Sequence, residues 1–145
     1  MVQTQKKPNL PLSRHILIVE DNQDGREMLR LVLELWGHHV EVAGDGLEGL
    51  QKALASHPEI ALIDIGLPYL DGYQVAKRLR QDLGCRILLI ACTAYGSLED
   101  RRRALDAGFD IHLVKPVDLD ELAHWLKRER LNPSSKLGPC AGPRD

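Results

Sequence analysis

Five residues whose types can do chemistry stand at the ends of apolar runs. "HILIVE" ends in Glu20 and is followed by Asp21. "IALIDI" carries Asp64, "RILLIACT" ends in Thr93, and "DIHLVK" ends in Lys115, followed by Pro116. A lone carboxylate is costly to bury, so Asp64 inside an apolar run requires a partner. Three carboxylates brought together repel one another unless a cation joins them. Their oxygens suit a hard divalent ion, and Mg²⁺ keeps several waters beside one or two carboxylates. Lys115 alone does not neutralise all three. Acids, a metal, a hydroxyl and a lysine together make a site for a phosphoryl group. A carboxylate can itself accept that group as an aspartyl phosphate. Nothing in the chain resembles a Ser-His-Asp or Cys-His nucleophile.

Each member has a plainer reading. Glu20–Asp21 suits a helix N-terminus, Thr93 can fill a strand end, and Lys115–Pro116 can lead into a helix. Asp64 resists such a reading, because it would then be unpaired among apolar neighbours. What joins the five is where their elements place them. Apolar strand-like runs alternate with amphipathic stretches. His15 to Glu20, His38 to Ala43, Ile60 to Ile65, Arg86 to Thr93 and "DIHLVK" read as strands, the second as an edge strand. Between them, "DGREMLRLVLELWG" sets Met28, Leu31, Val32 and Leu35 at helical spacing and stops at Gly37. "GLEGLQKALASH" is a second helix, and "DGYQVAKRLRQDLG" places Val75, Ala76, Leu79 and Leu83 on one face. "SLEDRRRALDAG" opens with Ser97 and Asp100 at capping-box spacing and ends at Gly108. "DLDELAHWLKRERL" opens with Asp118 and Glu121 and offers Leu119, Leu122 and Leu126 for burial. Five strands alternating with five helices predict a doubly wound parallel α/β sheet covered on both faces. Ligands of such sheets bind beyond the carboxyl ends of the strands, where Glu20, Asp21, Asp64, Thr93 and Lys115 all fall.

The 145-residue chain suits one domain. Residues 1–13, with Pro8 and Pro11, and residues 132–145, rich in Pro, Gly and Ser, read as tails or linkers around a domain at 14–131. A net charge of −2 gives no broad basic field for nucleic acid or acidic membranes. Arg101 to Arg103, with Glu99, Asp100 and Asp106 around them, read as a solvated helix face. No apolar run reaches the about 18 residues of a membrane helix, and the N-terminus lacks the apolar core of a signal peptide. Cys85, Cys92 and Cys140 show no metal-type or paired spacing. Small reduced thiols suit the strand context of the first two, which predicts a cytoplasmic setting.

The segments "ILIVEDN", "ALIDIGLPYLDGY", "LLIACTAYG" and "AGFDIHLVKPVD" come in the order and spacing of the receiver domain of two-component response regulators, across about Ser13 to Leu131. The chain resembles that family, and some of its features are similar to receivers attached to hybrid sensor histidine kinases. The resemblance implies a five-stranded flavodoxin-like fold with strand order 2-1-3-4-5. It implies a phosphorelay protein rather than an enzyme, promoting only its own phosphorylation and dephosphorylation. Asp64 would accept a phosphoryl group from a histidine kinase or a histidine phosphotransfer protein, and a downstream effector protein or domain would read the result. Asp21 and Asp64 would bind Mg²⁺ directly, Glu20 mostly through a metal-bound water, and Gly66 through its carbonyl. Lys115 would hold a phosphoryl oxygen, Thr93 would swing toward the phosphoryl group, and Pro116 matches the family's cis-proline position. Two departures stand out. The aromatic switch position, usually Tyr or Phe, is His112. Gly66 offers no side chain beside the phosphorylation site, whereas Tyr95, two residues past Thr93, offers a bulky one. Side chains at those two places tune phosphoryl lifetime in the family.

Other readings compete. "GDGLEG", Gly44 to Gly49, fits the dinucleotide pattern G-x-G-x-x-G, with Asp64 at the distance of a ribose-binding acid. It leaves Glu20, Asp21, Thr93 and Lys115 unexplained, and a turn with a helix start accounts for the same residues. A haloacid-dehalogenase-like phosphatase needs a second Asp two residues after the first, where Gly66 stands. A receiver acting only as a phosphorylation-independent protein-binding module would not need the full set of acids, Thr93 and Lys115.

Overall fold

The computed structural model describes residues 13–94 and 96–127. Five strands alternate with five helices: β1 (His15–Val19), α1 (Gln23–Leu35), β2 (His39–Ala43), α2 (Gly46–Ser56), β3 (Ile60–Asp64), α3 (Gly72–Leu83), β4 (Leu88–Thr93), α4 (Leu98–Ala107), β5 (Ile111–Val114) and α5 (Leu119–Lys127). A single 3₁₀ turn, Gly84–Arg86, joins α3 to β4. The strands form one parallel sheet in the order β2-β1-β3-β4-β5. This is the doubly wound, flavodoxin-like arrangement expected from the alternation, with β2 at an edge as predicted.

The strands are short and nearly all apolar because both faces are covered. Alternate side chains feed two cores. Leu17, Val19, Ala61, Ile63, Leu89 and Ala91 pack under α2, α3 and α4. Ile16, Ile18, Ile60, Leu62, Ile90 and Leu113 pack under α1 and α5. Val75, Ala76, Leu79 and Leu83 of α3 are all buried, as their spacing predicts.

Two helix faces differ from expectation. On α1, Met28 and Leu31 are each 55% exposed and Leu35 is 82% exposed. The inward face is instead Leu33, with Leu29 and Trp36 packed beside it. α1 is apolar on more than one side, so spacing alone selects the wrong stripe. On α5, Leu122 and Leu126 are buried, but Leu119 sits in the first turn and is 36% exposed.

The capping expectations hold at the backbone. Ser97 Oγ accepts from Asp100 N, and α4 ends on Gly108 in the left-handed region. Asp118 Oδ1 accepts from Glu121 N at 3.3 Å. Each such cap is worth about 1 kcal/mol. Arg101, Arg102 and Arg103 are exposed, and the Arg103 guanidinium lies 4.3 Å over the Tyr73 ring. Cys92 is a buried free thiol, as expected, whereas Cys85 is disulfide-bonded, against the reduced state its context implies. No helix among the described residues is long and apolar enough to cross a membrane.

"GDGLEG" is a turn and a helix start. Asp45 caps α2 by accepting from Glu48 N. A Cβ on Gly46 would lie 2.1 Å from the Leu70 carbonyl oxygen, so a bare backbone is needed for the close approach of the β3–α3 loop. The glycines here serve packing.

Candidate functional site

The carboxyl ends of β1, β3, β4 and β5 meet at one rim. β1 delivers Glu20 and Asp21, one step before Asn22 caps α1 through its side chain. β3 ends on Asp64. The register pairs Asp64 with Cys92, placing Thr93 one residue beyond, and Thr93 pairs with Val114, placing Lys115 one residue beyond that. A backbone bond from Lys115 N to Thr93 O, 2.7 Å, fixes this end of the β4–β5 pair. Below the rim, a Cβ on Gly72 would lie 2.6 Å from the Asp64 carbonyl, so glycine lets α3 begin directly beneath β3.

Glu20, Asp21 and Asp64 each offer a carboxylate oxygen within 4.8 Å of the others. Asp64 is only 8% exposed and Glu20 is also buried, while Asp21 is open to solvent. The partner that Asp64 requires is Lys115, whose Nζ lies 3.2 Å from Asp64 Oδ2 and donates to Glu20 Oε1 at 3.0 Å. Asp64 Oδ1 accepts from Gly66 N at 3.1 Å. Glu20 Oε2 accepts from Asn22 N at 3.1 Å. One ammonium therefore faces three carboxylates.

The electrostatics reflect that imbalance. Burial pushes the Glu20 carboxyl above its ordinary range, and the Asp64 charge adds to the rise against the bonds from Asn22 and Lys115. Burial opposes the charge on Lys115, but Glu20 and Asp64 outweigh it and raise the ammonium's pKa. Cys92 lies fully buried near these charges, and burial pushes its thiol up to about 12. It stays protonated and is no nucleophile.

The three acids fit a divalent ion. They are close enough to share one, they are hard oxygen donors, and their charge exceeds that of Lys115. Glu20, Asp21 and Asp64 are the residues whose side chains would hold Mg²⁺.

The remaining predicted residues fall around this cleft. Thr93 is buried at the end of β4. Gly66 is exposed, and a Cβ there would meet nothing within 4 Å. The Lys115–Pro116 peptide bond is cis. His112 is part-buried on β5, on the same face of the sheet as Thr93 by strand alternation, and both its ring nitrogens are buried without a hydrogen-bond partner. Tyr95 lies outside the described residues. Two participants escaped the sequence reading. Asn22 supplies both a helix cap and a donor to Glu20, and an Asn just before a helical pattern is a signal that could have found it. Arg26 Nη1 donates to the Glu20 carbonyl at 2.9 Å and lies close to Gly44. Nothing in its spacing marks that role.

Residues 16–127 match the model of the response regulator receiver domain, and the chain belongs to that family. Among curated proteins it is 39% identical over 111 residues to the response regulator MprA of Mycobacterium ulcerans (strain Agy99), covering 77% of this chain and 47% of that protein. The chain thus spans about half the length of the curated relatives it matches. Among solved structures it is similar to a CheY-like receiver domain protein from Methanospirillum hungatei JF-1. That match has 32% identity and a TM-score of 0.77, covering 88% of this chain and all of the other. It is similar to the receiver domain of the sensor histidine kinase PA1611 from Pseudomonas aeruginosa PAO1, which has a magnesium ion in its active-site cleft. Identity there is 33% and the TM-score 0.73, covering 81% and 97%. It is also similar to the receiver domain of Ssk1 from Saccharomyces cerevisiae, solved with the histidine phosphotransfer protein Ypd1. That match has 28% identity and a TM-score of 0.72, covering 77% and 84%.

Proposed function

We propose that this receiver domain is a phosphoacceptor of a two-component or phosphorelay system, and that Asp64 takes the phosphoryl group from a phosphohistidine. The observation that carries this is the burial of Asp64 at a rim where two further acids and a single ammonium surround it. An Asp64 carboxylate oxygen attacks phosphorus, the phosphorus–nitrogen bond of the donor imidazole breaks, and its electron pair stays on that nitrogen. Asp21, Asp64 and the Gly66 carbonyl, with Glu20 mostly through water, would hold Mg²⁺, which would offset charge on the phosphoryl oxygens. Lys115 lies close enough to Asp64 to take one of those oxygens as Glu20 releases it. Thr93 donates to another, and His112 on the same sheet face responds. Gly66 leaves the approach to Asp64 open, and with Tyr95 it sets how readily water hydrolyses the product.

The donor is a histidine kinase or a histidine phosphotransfer protein. Such a donor is the partner in the Ssk1 receiver complex, and α1, which starts two residues after Asp21, carries an exposed apolar stripe of Met28, Leu31 and Leu35. The output is a changed affinity for an effector protein or domain, with no direct nucleic-acid contact and no membrane insertion, and the domain turns over no substrate of its own. We place residues 14–131 as the functional unit, in the cytoplasm.

The assignment is tested by intact mass after incubation with acetyl phosphate and Mg²⁺. The wild-type chain should gain one acid-labile phosphate and Asp64→Asn none. Equal labelling of both would remove Asp64 as the acceptor. Absence of labelling in the wild type, with effector binding unchanged, would favour a phosphorylation-independent binding module.

A further inference from the structure

The opposite end of the sheet carries a second group of metal-ligating side chains that the phosphoryl site does not use. β1 and β2 pair so that His15 lies beside His39, both at the amino ends of their strands. Their ring centroids are 4.9 Å apart and the planes are tilted by 55°. Two residues along β2, and so on the same face, Glu41 places Oε1 3.1 Å from His15 Nε2. Four steps along β1 lead from His15 to Val19, about 13 Å of strand, so this cluster is remote from the acid cleft.

We propose that His15, His39 and Glu41 form a site for a borderline divalent cation of the Zn²⁺ class, fastening edge strand β2 to β1. Imidazole nitrogens favour Zn²⁺, Ni²⁺ or Cu²⁺ over Mg²⁺, whereas the all-oxygen cleft suits a hard ion such as Mg²⁺. The spacing fits: two ligands each about 2.0 Å from a tetrahedral ion are about 3.3 Å apart, close to the gap between His15 Nε2 and Glu41 Oε1. The carboxylate is already held. Ser56 Oγ donates to Glu41 Oε1 at 2.7 Å. Burial pushes the Glu41 carboxyl up, but the bonds from Ser56 and His15 outweigh it and keep the group ionised. A His15–Glu41 ion pair alone needs no second imidazole; His39, in register with His15, would complete a ligand set once its ring turns from its present position toward the other two donors. His39 is exposed, so its ring is free of the core and turns to bring in the third donor. The ion replaces the proton on His15 Nε2, which passes to Nδ1 or to solvent, so affinity falls as the imidazoles protonate.

The test is a Zn²⁺ titration of the full chain by calorimetry and NMR, in excess Mg²⁺ so that the acid cleft is occupied. One saturable site is expected, with amide and imidazole shifts centred on residues 15 and 39–41. His39→Gln and Glu41→Gln should each weaken it at least about tenfold, the low end of what even an outer partner of a metal ligand is worth. Asp64→Asn should leave it unchanged. Affinity should fall on acidification, because a metal-bound imidazole must be unprotonated. His39 and Glu41 lie outside the buried core, so both variants should fold, and far-UV circular dichroism checks this. Failure to saturate, wild-type affinity in both variants, or shifts confined to Glu20, Asp21 and Asp64 would overturn the proposal.

Discussion

Lys115 and Glu20, ninety-five residues apart in the chain, meet at 3.0 Å between Nζ and Oε1, and the same ammonium reaches Asp64 at 3.2 Å. One positive charge is divided between two buried acids, with Asp21 beside them. The cleft is therefore under electrostatic repulsion whenever no cation is bound.

Removing one carboxylate charge should relieve that repulsion. Without Mg²⁺, Asp64→Asn is expected to be more stable than wild type by about 1 kcal/mol, a few degrees in Tm. Adding Mg²⁺ should stabilise the wild type and leave the variant nearly unmoved. Thermal unfolding with and without the ion measures both, and a destabilised variant that still gains from Mg²⁺ would contradict the account.

The two acids after β1 should differ in their share of metal binding. Both Glu20 oxygens are engaged, one by Lys115 and the other by Asn22 N. Asp21 is exposed and has the shorter path to an incoming ion. Asp21→Ala should weaken Mg²⁺ binding more than Glu20→Ala, by a factor of about ten or more if Glu20 acts through water. Tryptophan fluorescence or thermal shift reads the titration. Equal losses, or the reverse order, would mean the roles are exchanged.

Protonation of His112 should oppose folding and disturb the switch. Burial pushes its pKa below the usual 6.5, Arg101 adds to the fall and Asp100 opposes it. The folded state thus prefers the neutral ring. The stability this provides is complete above about pH 6.5 and is lost as the pH falls below it, where the unfolded chain takes up the proton first. His38 acts in the same direction, through burial and then Arg14, and its Nδ1 accepts from Arg14 N only when unprotonated. Urea unfolding across about pH 5 to 8 should show a smaller acid loss in His112→Phe, with the remainder reduced by His38→Gln. With beryllofluoride bound, amide shifts in α4 and β5 should depend on pH over the same range, and His112→Tyr should lose that dependence. Identical pH profiles in the wild type and all three variants would remove the histidines from the effect.

Arg80 should be among the costliest side chains to remove. Its Nη2 pairs with Asp110 Oδ2 at 2.5 Å, its Nε donates to Gly108 O, and its Nη1 donates to Gly84 O and Ile87 O. Asp110 Oδ2 also accepts from Leu89 N. Only 14% of the Arg80 side chain is exposed, so truncation strands several polar groups with little water to replace it. Arg80→Ala should cost about 2–4 kcal/mol in chemical denaturation, and Arg80→Lys should recover less than half of that, since an ammonium lacks the fork. A loss below about 0.5 kcal/mol, ordinary for a surface site, would show the network to be dispensable.

Much of this arrangement is legible in the chain. An acid inside "IALIDI" has few structural excuses, and the strand-helix alternation places Glu20, Thr93 and Lys115 on its side of the sheet. What cannot be read depends on groups that every residue carries or on register. Arg80 binds carbonyls, which leave no trace in side-chain pattern. Arg26 does the same at Glu20. The neighbouring of His15 and His39 follows only once β1 and β2 are aligned. The exposed stripe of α1 was hidden because Met28, Leu31 and Leu35 are as apolar as the Leu29 and Leu33 that turn inward.

The Arg80 network fastens β4 to β5 at one end, through Asp110 to Leu89, while the other end carries Thr93 beside Val114. The strand pair is thus pinned at its foot and loaded at its head. A displacement begun at Thr93, as the proposed switch requires, would work as a lever about that fulcrum, moving most where Val114 and the start of α4 face solvent and least where the strands enter the core. Such a motion would be delivered outward and would leave the hydrophobic interior at rest.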